Sequence, residues 1–263
     1  MKSEFCWDGE TYAAANSIQS SVGESLINTV RFSPDMFVLD AGCGSGNLTA
    51  LIAEKVPDGH VLGIDSSESM IRKAKEIMAA RSVPNLEFRT CAINEIAFEE
   101  QFDLIFSNSV LHWVVEIEDG LWHLFRALKP GGGIILQFPV LNAEHPLIRY
   151  AERAINELGF HTRYEKWEFP WYVPDSREQF SDRMKEVGFS EVEVSMKANL
   201  FSFPSAEAVY HHFQSVGLEL LAAPLKEEEE QVLYNRILND LKEDFSEEAV
   251  LRYERIFAKA GKI

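Results

Sequence analysis

Short apolar runs alternate with amphipathic stretches over the middle of the chain, from residue 36 to residue 139. Runs of about four to eight Val, Ile, Leu and Phe residues are typical of strands covered on both faces, and the amphipathic stretches between them are typical of helices. The expected strands lie near residues 36–41, 60–65, 86–90, 102–107 and 132–138. The expected helices lie near residues 47–56, 68–81 and 117–128. This alternation predicts an α/β fold with a doubly wound, mostly parallel sheet.

The pattern loosens after residue 139. Two later stretches alternate as strands do, "EVEVSMKANLFSF" and the C-terminal "RYERIFAKAGK", and we expect the last to run antiparallel. The segment at 164–172 contains Trp167, Phe169, Trp171 and Tyr172, and predicts either the wall of a pocket or ordinary packing between elements. Further helices are expected near residues 145–158, 175–187 and 205–246. A helical excursion between two late strands is a natural lid.

The composition restricts the class of partner. Acidic residues outnumber basic residues by 42 to 25, and the resulting formal net charge of −17 repels nucleic acids and anionic membrane surfaces. No apolar stretch approaches the ~20 residues of a membrane span, and the N-terminus does not read as a signal peptide, so we expect a cytoplasmic protein. Cys6, Cys43 and Cys91 are odd in number and far apart, which predicts neither a disulfide framework nor a metal site. A small anionic substrate would need local donors to overcome the net charge.

The sequence "VLDAGCGSGNLT", residues 38–49, is an expected strand that runs into a glycine-rich turn and then a helix. Gly42, Gly44 and Gly46 permit a tight turn and a close approach of the backbone to a ligand, next to the amides of a helix N-terminus. Their spacing differs from the G-x-G-x-x-G pattern of dinucleotide-binding folds, and Asp40 precedes the first glycine. A carboxylate at that point suits a positively charged ligand, and a nicotinamide-dependent dehydrogenase is disfavoured.

The second expected strand, "HVLGID", ends on Asp65, nineteen residues after Gly46. At about this distance an acidic residue at the end of the neighbouring strand accepts hydrogen bonds from ribose hydroxyls. The alternative role of Asp65 is a helix N-cap, which Ser66 or Ser67 could equally supply. The glycine loop and Asp65 together favour a nucleoside ligand.

Four segments resemble, in order and spacing, the motifs of the Rossmann-like S-adenosylmethionine-dependent methyltransferases. They are "VLDAGCGSGNLT", "VLGIDSSESM", "FDLIFSNSVLHW" and "LKPGGGIIL". The resemblance covers residues 36–138 and implies a single domain with a seven-stranded sheet, a reversed last strand and helical cap insertions. It implies S-adenosylmethionine as the cofactor and a small-molecule substrate.

By this resemblance, residues 36–139 form the cofactor-binding core, residues 1–30 an N-terminal lid, and residues 140–175 and 202–247 the substrate caps. The glycines would pass under the methionine part of the cofactor, and Asp65 would hold its ribose. The family usually places an Asp after the third strand to meet the adenine amino group, where this chain has Ala92. Backbone groups and apolar contacts with Met70 and Ile93 are expected to hold the adenine instead. The complete set of expected cofactor-binding residues is Tyr12, Asn16, Asp40, Gly42, Cys43, Gly44, Gly46, Asp65, Ser66, Met70, Cys91, Ala92, Ile93 and Asn108.

The end of the fourth expected strand carries residues suited to the reaction centre. "SNSVLHW" resembles the Ser-Asn-x-x-Leu-His/Gln-Trp segment of the trans-aconitate, malonyl-carrier-protein and juvenile hormone acid methyltransferases, which esterify carboxylates. "YAAANSIQ", residues 12–19, resembles a Tyr-x-x-x-Asn-Ser-Leu-Gln segment of the juvenile hormone acid enzymes. The expected catalytic residues are therefore Gln19 and Trp113, as donors to the substrate carboxylate, with His112 close by.

Carboxylate methylation needs no general base, because a carboxylic acid with a pKa near ~4 is already ionised at neutral pH. The enzyme must instead align and dehydrate the carboxylate. His112 could otherwise be a general base for a hydroxyl, amine or carbon acid, or a packed side chain, and Trp113 could be core filler. A further alternative is a module that binds the cofactor without catalysis, which Ala92 leaves open. No metal site is expected.

Overall fold

The computed structural model describes residues 9–79 and 83–263, and for residues 9–17 it describes the backbone alone. The strands are β1 (Phe37–Ala41), β2 (His60–Asp65), β3 (Leu86–Thr90), β4 (Phe102–Asn108), β5 (Leu128–Pro139), β6 (Ser190–Phe203) and β7 (Ala249–Gly261). The helices are α1 (Gly9–Ile27), α2 (Asn47–Lys55), α3 (Glu68–Ala79), α4 (Ile117–Ala127), α5 (Pro146–Glu157), α6 (Arg177–Val187), α7 (Ala206–Val216), α8 (Leu218–Leu221) and α9 (Glu227–Asp244).

One sheet contains the strands in the order β3-β2-β1-β4-β5-β7-β6. β1 to β5 are parallel, whereas β7 runs antiparallel to both of its neighbours, β5 and β6. The predicted α/β fold with a seven-stranded, mostly parallel sheet and a reversed last strand is therefore confirmed. β5 begins at Leu128 rather than near residue 132, because Leu128 pairs with Phe102 ahead of a register irregularity.

The chain changes direction across the sheet at β1 and β4. β2 and β3 lie on one side of β1, and β4 and β5 lie on the other side. Both strands are buried along most of their length, because helices cover both faces of the sheet. In open α/β sheets a crevice for ligands forms at such a point, outside the carboxyl ends of the strands.

A second core lies beside the sheet and joins the C-terminal helices to the rest of the molecule. Leu147 on α5, Phe213 on α7 and Leu233 on α9 are buried in it together, and Ile18 from α1 belongs to the same cluster. The segment between β6 and β7 is thus packed against α1 and α5. In the part of the chain that the structure describes, the helices are too short or too polar to cross a membrane.

Candidate active site

The carboxyl ends of β1, β2 and β4 open onto a cleft of about 1140 Å³, here called the cofactor cleft. It is lined by the glycine loop, by the start of α3, by the chain after β3 and by the end of β4. Of the expected cofactor-binding residues, this lining includes Gly42, Gly44, Asp65, Ser66, Met70, Cys91, Ala92, Ile93 and Asn108. The expected site residues from three of the motifs, and from the chain after β3, therefore share one cavity.

The glycine loop is fixed to the neighbouring strand. The amides of Gly42 and Cys43 both donate to the carbonyl oxygen of Ile64 at 2.8 Å. Gly42 has a φ of +85°, and a Cβ there would lie 2.1 Å from a methyl carbon of Val110. Only glycine lets the loop pass this close to the chain that follows β4.

Gly46 has a different place from the other two glycines. It caps α2 with a φ of 80° and lies outside the described lining of the cofactor cleft. A Cβ at Gly46 would meet the ring of Phe88 at 2.6 Å. Gly46 thus allows the start of α2 to pack closely against β3, and its expected contact with the cofactor stays a prediction.

Asp65 lies at the end of β2 with its carboxylate beside the glycine loop. The Gly44 amide donates to Oδ2 at 2.9 Å, and the Ser67 amide donates to Oδ1 at 2.9 Å. Burial raises the pKa of Asp65, while these two hydrogen bonds act in the opposite direction. Each carboxylate oxygen has a further lone pair for a hydroxyl donor. The residues therefore fit a nucleoside whose ribose binds here.

Asp40 is buried under the glycine loop, where Thr49 Oγ1 donates to its Oδ2 at 2.6 Å. It lines a recess of about 50 Å³ together with Cys43, Gly44 and Gln19. Burial, together with the nearby Asp65, raises the pKa of Asp40 to about 7 against the lowering effect of the Thr49 hydrogen bond. Burial likewise raises the pKa of the Cys43 thiol, so the thiol stays protonated. A cationic group in the recess would favour the ionised form of Asp40.

Replacing Asp40 with Asn should remove a pH-dependent destabilisation of the cofactor-free protein. Between the unfolded pKa of ~3.9 and the folded pKa of about 7, the folded state binds more protons, so stability falls as pH rises. Between pH 5 and pH 8, we expect the free energy of unfolding of wild type to fall by on the order of 2 kcal/mol more than that of Asp40→Asn. Urea unfolding at both pH values measures the difference. Asp35→Asn, at an exposed position ahead of β1, is the control; equal pH slopes for wild type and Asp40→Asn would contradict the prediction.

The expected adenine end of the cleft combines apolar and polar groups. Met70 and Ile93 are buried, and both line the cleft with Ala92. Asn94, which the sequence analysis missed, also lines it, and Asn94 Nδ2 donates to Asp119 Oδ2 at 3.0 Å. Asn94 stands two positions after Ala92, so its carboxamide is a polar group close to where the family usually places an Asp.

A smaller cavity of about 60 Å³, here called the inner cavity, lies beside the cofactor cleft. Its lining residues are Ile18, Gln19, Ser109, His112, Trp113, Pro139, Leu141, His145, His212, Val216, Tyr253 and Arg255. Gln19, Ser109 and Trp113 line both cavities. The boundary between the two cavities is therefore the place where two bound molecules would meet.

α1 is attached to this boundary through β4. Asn108 Nδ2 donates to the backbone oxygen of Gln19 at 3.2 Å, and Asn108 Oδ1 accepts a short hydrogen bond from Gln137. The structure thus brings together the two expected segments around Gln19 and Trp113, which are distant in sequence. Tyr12 and Asn16 lie in α1, where the structure describes the backbone of residues 9–17 and not their side chains.

His112 is 4% exposed and belongs to a 3-10 turn, Leu111–Trp113, after β4. It lines the inner cavity, and its Nδ1 has no hydrogen-bond partner among the groups that the structure describes. Burial lowers the pKa of His112 well below its usual value, and the charges of Arg255 and His145 lower it further. His112 is therefore a neutral imidazole at physiological pH.

The aromatic segment at 164–172 packs against the 3-10 turn that contains His112 and Trp113. The Tyr172 amide donates to the His112 carbonyl at 2.8 Å, and the Trp171 ring lies 5.9 Å from the Trp113 ring. Trp171 and Tyr172 are buried in the protein core and line neither cavity in its described part. Of the two interpretations of this segment, the structure supports packing.

Arg255 on β7 is the most informative residue that the sequence analysis missed. It is 3% exposed, donates from Nε to Gln137 Oε1 at 2.6 Å and from Nη2 to Ser109 Oγ at 2.5 Å. Burial lowers the pKa of Arg255 to about 10, which leaves it charged at neutral pH. A signal was present in the sequence: with period 2, Arg255 is in phase with Leu251 and Tyr253, which are buried.

His145 and His212 were also missed as lining residues. They come from distant parts of the chain, just before α5 and within α7, and only the packing of these helices brings them to one cavity. His212 is buried, whereas its neighbour His211 is exposed and bonds to Gln214. Adjacent residues of a helix point in different directions, which accounts for this difference in burial.

The comparisons with known proteins agree with this fold. Residues 32–172 match the model of a family described as a methyltransferase domain. The chain is 28% identical to a trans-aconitate 2-methyltransferase of Escherichia coli over 97% of both chains, and 34% identical to one of Deinococcus radiodurans over 60% of both chains.

Solved structures show the same fold at lower sequence identity. The YcgJ protein from Bacillus subtilis has a TM-score of 0.62 at 15% identity, with 92% of this chain and 98% of that chain covered. A phosphoethanolamine N-methyltransferase of Haemonchus contortus has a TM-score of 0.61 at 18% identity, with 95% and 57% covered. At these identities the likeness concerns the fold.

Proposed function

Since the chain belongs to the methyltransferase domain family and is an S-adenosylmethionine-dependent methyltransferase, we propose that it methylates a carboxylate oxygen of a small acid. S-adenosylmethionine supplies an electrophilic methyl group on a sulfonium. The residues around the cofactor cleft are suited to hold it: Asp65 would accept hydrogen bonds from the ribose, Asp40 would lie near the cationic part, and Met70 and Ile93 would contact the adenine. Asn94 supplies a polar group at the adenine end, in place of the family's usual Asp.

The observation that carries the carboxylate assignment is the electrostatic setting of His112. A histidine that removes a proton from a hydroxyl or amine needs a pKa near the working pH. The titratable groups that act on His112 are the cationic Arg255 and the neutral His145, and the described lining of the inner cavity contains no Asp or Glu. His112 is consequently a weak base, and the acceptor that suits this site has already lost its proton.

The boundary between the cavities supplies what a carboxylate acceptor needs. The Gln19 carboxamide and the Trp113 indole are neutral donors, so they can orient carboxylate oxygens without the strong ion pair that would reduce their nucleophilicity. Burial of the site excludes water from the acceptor oxygen. The relatives of this chain named above are named for aconitate, which is a carboxylate, and this supports the proposal.

The size of the inner cavity favours a small acid over a lipid-like one. Its volume of about 60 Å³ is only a few times the volume of about 10–15 Å³ that a single water needs on the same measure. A cationic amine is disfavoured as an acceptor because it would be brought next to Arg255.

A screen of carboxylic acids with methyl-labelled S-adenosylmethionine tests the function. Short mono-, di- and tricarboxylic acids are incubated with the protein, and the products are treated with base. Methyl esters release volatile labelled methanol, whereas methyl ethers and methylamines do not. Labelled products that retain the label after base treatment would contradict carboxylate methylation and favour a hydroxyl, amine or carbon acceptor.

The pH dependence of turnover separates direct displacement from general-base catalysis. At saturating cofactor and acid, we expect kcat to change less than about twofold between pH 6 and pH 8, because the acid is ionised and His112 is neutral throughout. A loss of about tenfold per pH unit towards pH 6 would instead indicate a base that becomes protonated near neutrality. His112→Gln, which keeps a donor but cannot act as a base, should keep the flat profile.

A further inference from the structure

Arg255 is a buried cation whose charge has no carboxylate partner among the described residues. Its two hydrogen bonds go to uncharged oxygens, of Gln137 and Ser109. A guanidinium has five N–H donors, so further donors are left for a ligand in the inner cavity that Arg255 lines. Burying an unpaired charge is strongly unfavourable, and the arrangement is therefore explained best by an anion that binds there.

Other polar groups that line the inner cavity also have unused hydrogen-bonding capacity. Buried polar atoms without a hydrogen-bond partner in the described structure include Nδ1 of His112, His145 and His212 and the hydroxyl of Tyr253. All of these residues line the inner cavity. Burial lowers the pKa of His145 to about 3 and of His212 to about 4, so they are neutral and able to donate one N–H each. An anion would satisfy several of these groups at once.

The position of Arg255 argues against a contact with the reacting carboxylate. Arg255 lines the inner cavity, but the described lining of the cofactor cleft does not include it. Ser109 stands between them, because it lines both cavities and accepts from Arg255. The reacting carboxylate belongs at the boundary, near Gln19 and Trp113, and the guanidinium lies farther inside.

We propose that Arg255 binds a second anionic group of the acceptor, so that the substrate is a compact di- or polycarboxylic acid whose remote carboxylate lies against Arg255, His145 and His212. This inference rests on the proposed carboxylate methylation. It assigns Arg255 as the residue that determines specificity, and Gln137 and Ser109 as the groups that hold its guanidinium in place. It also explains how a chain with a net charge of −17 attracts a multiply charged acid.

Matched acid pairs test the proposal. Fumarate is compared with crotonate, and glutarate with valerate, where a methyl group replaces the second carboxylate. For wild type we expect kcat/KM to be at least about tenfold higher for each diacid, mainly through KM, since a charge-assisted hydrogen bond contributes about 1.5–3 kcal/mol. In Arg255→Gln this ratio should fall to about one, and Arg255→Lys should restore part of it by restoring the charge.

Arg252 provides the matched control. It lies on the same strand but its side chain is exposed and pairs with Glu254; Arg252→Gln should keep the wild-type ratio. Circular dichroism and cofactor affinity show whether each variant is folded, and the wild-type pairs test the proposal even without a folded variant. Ester formation without any preference for diacids, or a preference that survives in folded Arg255→Gln, overturns the role of Arg255 and leaves carboxylate methylation standing. Absence of ester from all four acids and from the wider screen overturns both.

Discussion

Asp65→Ala should lower the affinity for S-adenosylmethionine by about 100-fold. The Asp65 carboxylate is the proposed acceptor for two ribose hydroxyls, and loss of such hydrogen bonds costs about 3 kcal/mol. The substitution also frees the amides of Gly44 and Ser67, both of which donate to Asp65 at 2.9 Å. The glycine loop then loses one of its attachments to β2, which adds to the loss of binding.

Isothermal titration with S-adenosylmethionine and with its demethylated product measures the effect, and both affinities should fall together because they share the ribose. Asp58→Ala is the control, since Asp58 is exposed just before the opposite end of β2. An affinity for Asp65→Ala within threefold of wild type would show that Asp65 serves as a helix N-cap and nothing more.

Local sequence patterns predict the cofactor half of the molecule well. β1 to β4 lie within about two residues of their predicted ends, because strands that are buried on both faces must be continuous apolar runs. The cofactor-cleft residues follow the ends of these strands, so their place is set by short-range order. Gly46 is the exception: its spacing matches a ligand-binding loop, but its neighbours in the fold are Phe88 and Ala74.

The acceptor half is harder to predict, because its residues meet through the packing of distant segments. His145, His212 and Arg255 come from a loop, a helix and a strand, and each has a common role elsewhere in proteins. Arg255 could have been found from its buried phase on β7, where a charge interrupts an apolar face. Its lack of an acidic partner becomes visible only when the surrounding elements are in place.

One hydrogen-bonded chain connects the two halves. It runs from Arg255 through Gln137 to Asn108, and from Asn108 to the backbone of Gln19. An anion at Arg255 would therefore bind next to the network that holds α1 at the boundary. Because the Gln19 backbone makes this attachment, substitution of the Gln19 side chain leaves it in place.

Trp113→Phe should lower kcat/KM for the acceptor acid by about 100-fold and change the affinity for S-adenosylmethionine by less than threefold. Phenylalanine retains an aromatic ring against His112, whose ring is 4.7 Å away, and against Trp171. What it removes is the indole N–H, the donor proposed to orient the reacting carboxylate. Loss of a donor to a charged group costs about 1.5–3 kcal/mol, and misalignment of the acceptor adds to this.

Steady-state kinetics with the best acid of the screen and direct titration of the cofactor separate the two effects. Gln19→Ala should act in the same direction, since it removes the second proposed donor and preserves the backbone contact with Asn108. Trp122→Phe is the control, because Trp122 is 42% exposed on α4. Near-normal turnover in Trp113→Phe together with a large loss in Trp113→Ala would mean that the ring fills space, and the orienting role would then pass to Gln19. The distinction is sharp because burial alone predicts equal tolerance of either aromatic ring, whereas a donor role depends on a single N–H.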